Sequence, residues 1–395
     1  MRRVLPILVL LMLGRHAAAA TCDTLPNPIY LQVGDTQLNL MKRLGRALRD
    51  NTGKPITLVF ITSGSCTNIT AIYTRVAITA GTNMQYIPSI TENGNWNPLT
   101  SPTSTCTAPP GGVVPDIANS ALFNSACTTD PAPATVHLQT GPTQAYVLAV
   151  PAASSQDAIT YEEAYFVFGF GSAGMASPWV DEAQMFIRTV TKSTLLAWAA
   201  QIGVPADKWK GVRLDGSPMV VAGLSGSTAP EKAIGILGAE VYDGLRGTLR
   251  ALAFRAKGQY AAYYPDSTST SRDKKNVRDG HYTVWSPTVW MDTTDAGGTP
   301  VKSDTRYVTD LIAGKTVSPA PSFDMISIIS AVGLVPDCAM GVTRSFEGGP
   351  LALYHPTESC TCTYESLVDS SSCATCSPTQ ACTTGVCRGG FCEVQ

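Results

Sequence analysis

Arg188 is the residue on which chemistry is most readily built. It ends an apolar run, Met185 to Ile187, and precedes Thr189, Thr191, Lys192, Ser193 and Thr194 before a helical pattern opens at Leu195. A helix start has free N–H groups and the positive end of the helix dipole. Ser193 or Thr194 is expected to cap it. Arg188 offers a planar fork of donors and Lys192 a point charge. Together they suit a bound oxyanion. The plainer reading is a capped helix with two solvated cations.

A second stretch has the same design. Ile56 to Ile61 is a buried-strand run. It stops at Gly64-Ser65-Cys66-Thr67-Asn68, and Ile69, Ile72, Tyr73 and Val76 follow at helical spacing. Strand, small-residue loop and helix start again make an anion cradle. Thr67 and Asn68 are its candidate ligands. Ser120, at the end of the run Val113 to Ser120, and Ser89 add hydroxyl groups.

Other motifs fail in context. Gly169-Phe-Gly171-Ser-Ala-Gly174 spells a dinucleotide fingerprint, but Pro178 follows where a helix should run. Gly223-Leu-Ser225-Gly-Ser227 misses a nucleophile elbow at its last position. His137, His281 and His355 form no pair with metal-ligand spacing. No catalytic nucleophile with its base, no metal set and no cofactor motif emerges, so a non-enzyme is expected.

The chain has 395 residues, enough for two domains and an appendage. It is 44% hydrophobic and 15% charged, a globular composition. Residues 1–20 read as a secretory signal: Arg2 and Arg3, an apolar core Leu5 to Leu13, then Ala18-Ala19-Ala20. That core is too short to span a membrane, and no later run is long enough. Removing the leader shifts the formal charge from −2 to −5. A mildly acidic body argues against nucleic acid. Twelve cysteines in an exported chain imply disulfides. Seven lie between Cys360 and Cys392, so one must pair outside, with Cys338 nearest. Cys106 and Cys127 are expected to bridge each other. Cys22 lacks the flanking residues of a lipid-anchoring signal.

Alternating strands and helices predict α/β layers with largely parallel sheets. Ile29–Val33, Gln144–Val150, Tyr165–Phe170, Val220–Leu224, Ile234–Leu237 and His281–Trp290 read as strands. Thr36–Arg49, Arg246–Lys257, Val308–Ala313 and Phe323–Val332 read as helices. Ser271 to Asp279 reads as a solvated charged loop.

Between Pro55 and Val335 these pieces resemble, in order, the exported substrate-binding proteins of phosphate uptake transporters. Gly64 to Asn68 looks like that family's opening phosphate loop, and Asp116-Ile117-Ala118-Asn119-Ser120 like its D-F-G-A-S-D strand end. Arg188 to Thr194 looks like its R-x-D-x-S-G-T signature. Pro230 to Ile236 looks like its P-G-A-I-G-Y strand, and His281 to Trp285 like the strand returning to the first lobe. Val190 replaces the signature's acid, Lys192 and Ser193 its Ser and Gly, and Ala121 the acid expected after Ser120. In the family an acid accepts the proton of hydrogen phosphate, which sulfate lacks.

The resemblance implies a periplasmic-binding-protein-like α/β fold. Lobe I would comprise residues 21–150, completed by 283–350, and lobe II residues 151–282. Crossings would lie near Pro151–Thr160 and Asp279–Trp285. The Cys-rich tail at 351–395 lies outside the resemblance; it is too short to bury a core, should depend on its bridges and should be dispensable to the body. The resemblance implies an exported protein, in the periplasm, at the cell surface or outside the cell. Such a protein would take a small oxyanion, phosphate first, on Thr67, Asn68, Ser89, Ser120, Arg188, Lys192, Ser193 and Thr194, with a membrane transporter as partner. Arg188→Ala should then weaken binding by more than about a hundredfold and change the unliganded melting temperature little. The alternative is a structural or adhesive protein that keeps the fold with a degenerate pocket.

Overall fold

The computed structural model describes residues 20–369 and 371–394. Apart from Ala20, the expected leader lies outside them. The first lobe begins with β1 (Pro28–Gly34), α1 (Leu38–Arg49), β2 (Thr57–Ser63), α2 (Ser65–Tyr73), β3 (Asn83–Tyr86), β4 (Ser104–Thr107) and β5 (Ile117–Ser120). β1 lies between β2 and β5 and runs parallel to both. Its Ile29, Leu31 and Val33 are fully buried, as in a parallel strand covered on both faces. α1 lays Leu40, Met41, Leu44 and Leu48 on that sheet because their three- and four-residue spacing puts them on one face.

β6 (Val136–Pro151) joins the lobes. At 16 residues it is about 50 Å long. The second lobe follows as β7 (Ala158–Thr160), α3 (Tyr161–Phe170), β8 (Met185–Arg188), α4 (Ser193–Ile202), β9 (Val212–Leu214), α5 (Ser217–Ser225), β10 (Ile234–Gly238), α6 (Ala239–Asp243), β11 (Leu249–Ala251), β12 (Ala253–Arg255) and α7 (Lys275–Arg278). β13 (Trp285–Thr293) returns to the first lobe, where α8 (Ser303–Ile312) and α9 (Met325–Ala331) complete its core. β14 (Val342–Thr343) and β15 (Ala352–Leu353) form a short ladder. The tail carries α10 (Thr361–Val368), β16 (Val386–Arg388) and β17 (Phe391–Glu393).

The main sheet has the order β4-β3-β2-β1-β5-β13-β6-β10-β8-β9, with β11 beside β6. Residues 136–145 of β6 pair with β13, and residues 146–151 with β10 and β11. The first crossing therefore falls at Ala145–Tyr146, inside one continuous strand, and not at Pro151–Thr160. The second falls at Val284–Trp285, where the Tyr146 N–H donates to Val284 O. Leu334 still packs in the first core, but Val335, Ala339, Met340 and Val342 are buried in the second. Residues 335–342 thus depart from the expected membership of lobe I.

Several local expectations are overturned by tertiary pairing. Tyr165–Phe170 is helical, within α3, because Thr160 and Glu163 form a reciprocal capping box. Val220–Leu224 is also helical, within α5, which opens at Ser217-Pro218. Arg246–Lys257 is no helix: Leu249–Ala251 pairs with the end of β6 and Ala253–Arg255 with β7. Cys106 bridges Cys22, and Cys127 bridges Cys66.

The tail is held by Cys338–Cys360 and stapled by Cys362–Cys373, Cys376–Cys387 and Cys382–Cys392. No free cysteine remains among the described residues. Such bridges form in an oxidising compartment. No described helix is long and apolar enough to cross a membrane. The tail also docks on the body. Tyr364 is fully buried in the second core, and Glu393 accepts the Cys362 and Thr363 N–H groups at the start of α10. Nor is Ser271–Asp279 simply solvated. Lys274 is 1% exposed, between Asp243 at 2.8 Å and Asp266 at 3.0 Å, and Arg278 pairs with Glu365 of the tail at 2.7 Å.

Candidate functional site

The polar residues of the two lobes meet along a seam. β1 ends at Gly34, and a short 3-10 turn, Asp35–Gln37, leads into α1. Asp35 reaches across from this turn. Its Oδ2 accepts from Arg188 Nη2 at 2.8 Å and from the Ser217 N–H and Oγ–H, both at 3.2 Å. Ser217 opens α5, so the carboxylate sits at a helix N-terminus, where the dipole favours an anion. Arg188, at the end of β8, is fully buried. It also donates to Ser217 Oγ at 2.7 Å, Asp215 O at 2.6 Å and Leu214 O at 3.3 Å. The protein's own Asp35 carboxylate thus rests on Arg188 and on the start of α5, not on the start of α4, where an anion was expected.

The first turn of α4 lies alongside. Lys192, not Ser193 or Thr194, is the N-cap residue, and it gives no side-chain cap. Its ammonium pairs with Asp215 at 3.2 Å. Asp215 is largely exposed, so that pair contributes little to stability. Close to the Ser193 hydroxyl, the Tyr146 phenol donates to Ala121 O. Burial pushes the Tyr146 phenol well above its ordinary pKa. Thr194 is fully buried and its Oγ1 has no partner among the described residues.

The other predicted ligands are placed differently. A Cβ on Gly64 would lie 2.6 Å from Thr191 Oγ1 and 2.7 Å from its carbonyl oxygen, so only glycine lets the two lobes approach here. The Cys66 N–H, at the start of α2, donates to Thr191 O at 3.2 Å. Thr67 is exposed and lines an open groove of about 550 Å³ with Gln32, Ile61, Thr70 and Thr191. Asn68 donates to Asn119 O at 2.8 Å and accepts from Ser63 Oγ. Ser120 donates to Leu122 O at 2.8 Å. Both are spent on joining α2 to β5 and its following turn. Ser89 belongs to a loop whose next residue, Ile90, donates to Asp50 after the far end of α1, roughly 18 Å along the helix from Asp35. The seam therefore gathers Arg188, Lys192, Ser193 and Thr194. It does not gather Asn68, Ser89 or Ser120.

Five residues outside the sequence reading belong to this seam besides Asp35: Thr36, Gln37, Gln144, Ser217 and Glu240. Gln37 donates to Gln144 at 2.5 Å across the crossing. Thr36 Oγ1, Gln37 Oε1, Gln144 Nε2 and both oxygens of Glu240 are buried without a partner among the described residues. An available signal was Asp35 itself, an acid placed where a buried strand gives way to a helix. Two other acids of the first lobe are engaged elsewhere: Asp116 with Lys302 at 2.7 Å, and Glu92 with Arg49.

Glu240 is 5% exposed. Burial first, then Asp35 and Asp243, push its carboxyl well above the ordinary value of 4.5. The folded protein holds this proton longer than the unfolded chain does. The contribution to stability is therefore full below about pH 4.5 and is lost as pH rises through the folded pKa. Glu240→Gln should raise the urea midpoint at pH 8 and leave it nearly unchanged at pH 4. Equal shifts at both pH values would refute this assignment.

The Cys376, Cys382 and Cys392 sulfurs lie close together, but all three are in disulfides, which leaves no thiolate for a metal.

The fold is that of the two-lobed binding proteins. A structure assigned as a phosphate ABC transporter substrate-binding protein of Clostridium perfringens, with bound phosphate, superposes at a TM-score of 0.52 and 12% identity. The match covers 78% of this chain and 99% of that one. An ABC-type phosphate transport receptor from Vibrio cholerae covers 78% of this chain and 100% of its own at 12% identity, with a TM-score of 0.48. Neither protein-family models nor curated protein sequences give a match. Identity this low establishes architecture and leaves the ligand to the chemistry of the seam.

Proposed function

We propose that the protein is an exported solute-binding protein that takes a small oxyanion, phosphate first, between its lobes. The observation that carries this reading is the Asp35 carboxylate seated on Arg188, Ser217 and the first N–H of α5. A seam that holds one oxyanion of its own has the donors to hold another. When the lobes part, Asp35 leaves with the first lobe, and Arg188 and Ser217 stay with the second. An incoming oxyanion takes their donors and the free N–H groups that begin α4. Asp35 then closes over it as an acceptor, the role for which Val190 and Ala121 have no group. Hydrogen phosphate can donate a proton to that carboxylate and sulfate cannot, so the seam should prefer phosphate. The neighbouring fold suggests a membrane transporter as the partner that receives the ligand.

The alternative is a structural or adhesive protein with a closed, degenerate seam. It is favoured by one observation: Arg188 and Lys192 are both already paired within the chain.

Thr194→Val separates the two. Valine keeps the volume and removes a buried hydroxyl that has no partner, so the unliganded protein should be as stable as wild type or slightly more so. If the seam binds an oxyanion, this variant should lose roughly tenfold to a hundredfold in affinity, the worth of one hydrogen bond to a charged group. Titration calorimetry with phosphate and sulfate at pH 5 and pH 8 reads the outcome. Binding of neither anion by the wild type, with only a rise in the variant's stability, would leave the structural reading standing.

A further inference from the structure

Beside the seam, and sharing Glu240 with it, α1 of the first lobe, α6 of the second, the end of α9 and the tail helix α10 enclose a cavity of about 240 Å³. Arg43, on α1, and Arg272, just before the Lys274 cluster, both line it. Among the described residues neither has a hydrogen-bond, ion-pair or ring partner. Apart from Arg75, every other described arginine is engaged. Arg43 is half-buried and Arg272 exposed, and an anion placed between them would be attracted to both.

We infer that this cavity is a second binding site, for a small oxyanion held by Arg43 and Arg272. The rest of the lining agrees. Asn39, also on the wall, has an amide with no partner among the described residues. Glu240 lines the same cavity with a carboxyl that is buried and has no partner among the described residues. The other acid, Asp243, is saturated by Lys274 and Arg246. The volume suits a phosphate or a short dicarboxylate with a few waters and is below the range of sites for larger organic ligands. Leu367 and Val368 of the tail form part of the wall, so an occupant would tie the tail to both lobes. The competing account is that the arginines only balance the carbonyl ends of α6 and α9. Against it, neither arginine donates to those carbonyls.

The test uses the full exported chain and three probes: inorganic phosphate, sulfate and succinate. Arg43→Ala/Arg272→Ala should fold as wild type does, since neither side chain has a partner to lose. Calorimetry should show a binding event in the wild type that weakens about a hundredfold in the double variant, two charge-assisted contacts at about tenfold each. Arg43→Lys/Arg272→Lys should lie between. The same event should survive Thr194→Val, which acts on the seam, so failure of the seam reading and failure of this one are told apart. Hydrogen exchange should slow in α10 on addition of the probe that binds. If no probe binds, or if binding is the same in the double alanine variant, the inference is overturned.

Discussion

Arg188→Ala should lower the unfolding free energy by about 3–5 kcal/mol, the usual cost of breaking a buried ion pair by removing one partner. The sequence reading had Arg188 facing an external ligand, which would have left the unliganded protein little changed. Its guanidinium instead holds the Asp35 carboxylate, the Ser217 hydroxyl and two backbone carbonyls. Alanine leaves all of these without the Arg188 donor at a largely buried position. Asp35→Asn should cost less, because an amide oxygen still accepts from Arg188 and Ser217. Arg188→Met/Asp35→Leu should recover much of the loss, since hydrophobic replacement of a buried pair is often neutral. Denaturant titration at pH 7 of the wild type, Arg188→Met, Asp35→Leu and the double variant measures the cycle. Additive single effects would show that the pair is not coupled and would remove the internal anion from the argument.

Lys274→Met should be as damaging, by about 3–5 kcal/mol at pH 7. Lys274 is held between Asp243 and Asp266, and both acids are nearly buried. Burial alone would lower the Lys274 amine, but Asp243 and then Asp266 hold it above its ordinary value. Burial alone would raise the Asp243 carboxyl, but Lys274 and then Arg246 hold it below 3.8. Depressed carboxylates give stability that is present above their unfolded pKa and is lost as pH falls through the folded one. The wild type should therefore lose this contribution below about pH 4. In Lys274→Met the two acids face each other with Arg246 alone and take up protons more readily. The deficit should be largest at neutral pH and shrink towards pH 4. A constant deficit from pH 7 to pH 4 would mean that packing, not charge, is what Lys274 supplies. The same cluster holds the tail, through Arg278 on Glu365 and the Tyr364 ring, so the variant should also loosen residues 361–368 to protease.

Much of the first lobe was legible in the residues. Ile29–Val33 alternates like a strand, Ile56–Ile61 is a mostly apolar run, and Thr36–Arg49 carries one apolar stripe, so local pattern and global position agree. The segments misread were those whose neighbours decide their state. Tyr165–Phe170 is apolar all round, and periodicity cannot tell a strand from a helix there; its capping box could. Leu249–Arg255 has helical spacing but lies against the ends of β6 and β7, where unpaired backbone groups call for strands.

The sequence alone determined the α/β class and the oxidised tail with its bridge to Cys338, because each depends on local pattern or on a cysteine count; it also marked the cradle-forming Arg188 by its place at a strand end. Only the tertiary structure decided what fills that cradle. Asp35 and Arg188 are 153 residues apart and meet because one long strand, β6, is shared by both lobes and sets them face to face. Glu240, Gln144 and Thr36 reach the same seam by the same route. A local reading could supply the donors at Arg188, but the acceptor comes from the other lobe, and no spacing in the sequence encodes that distance.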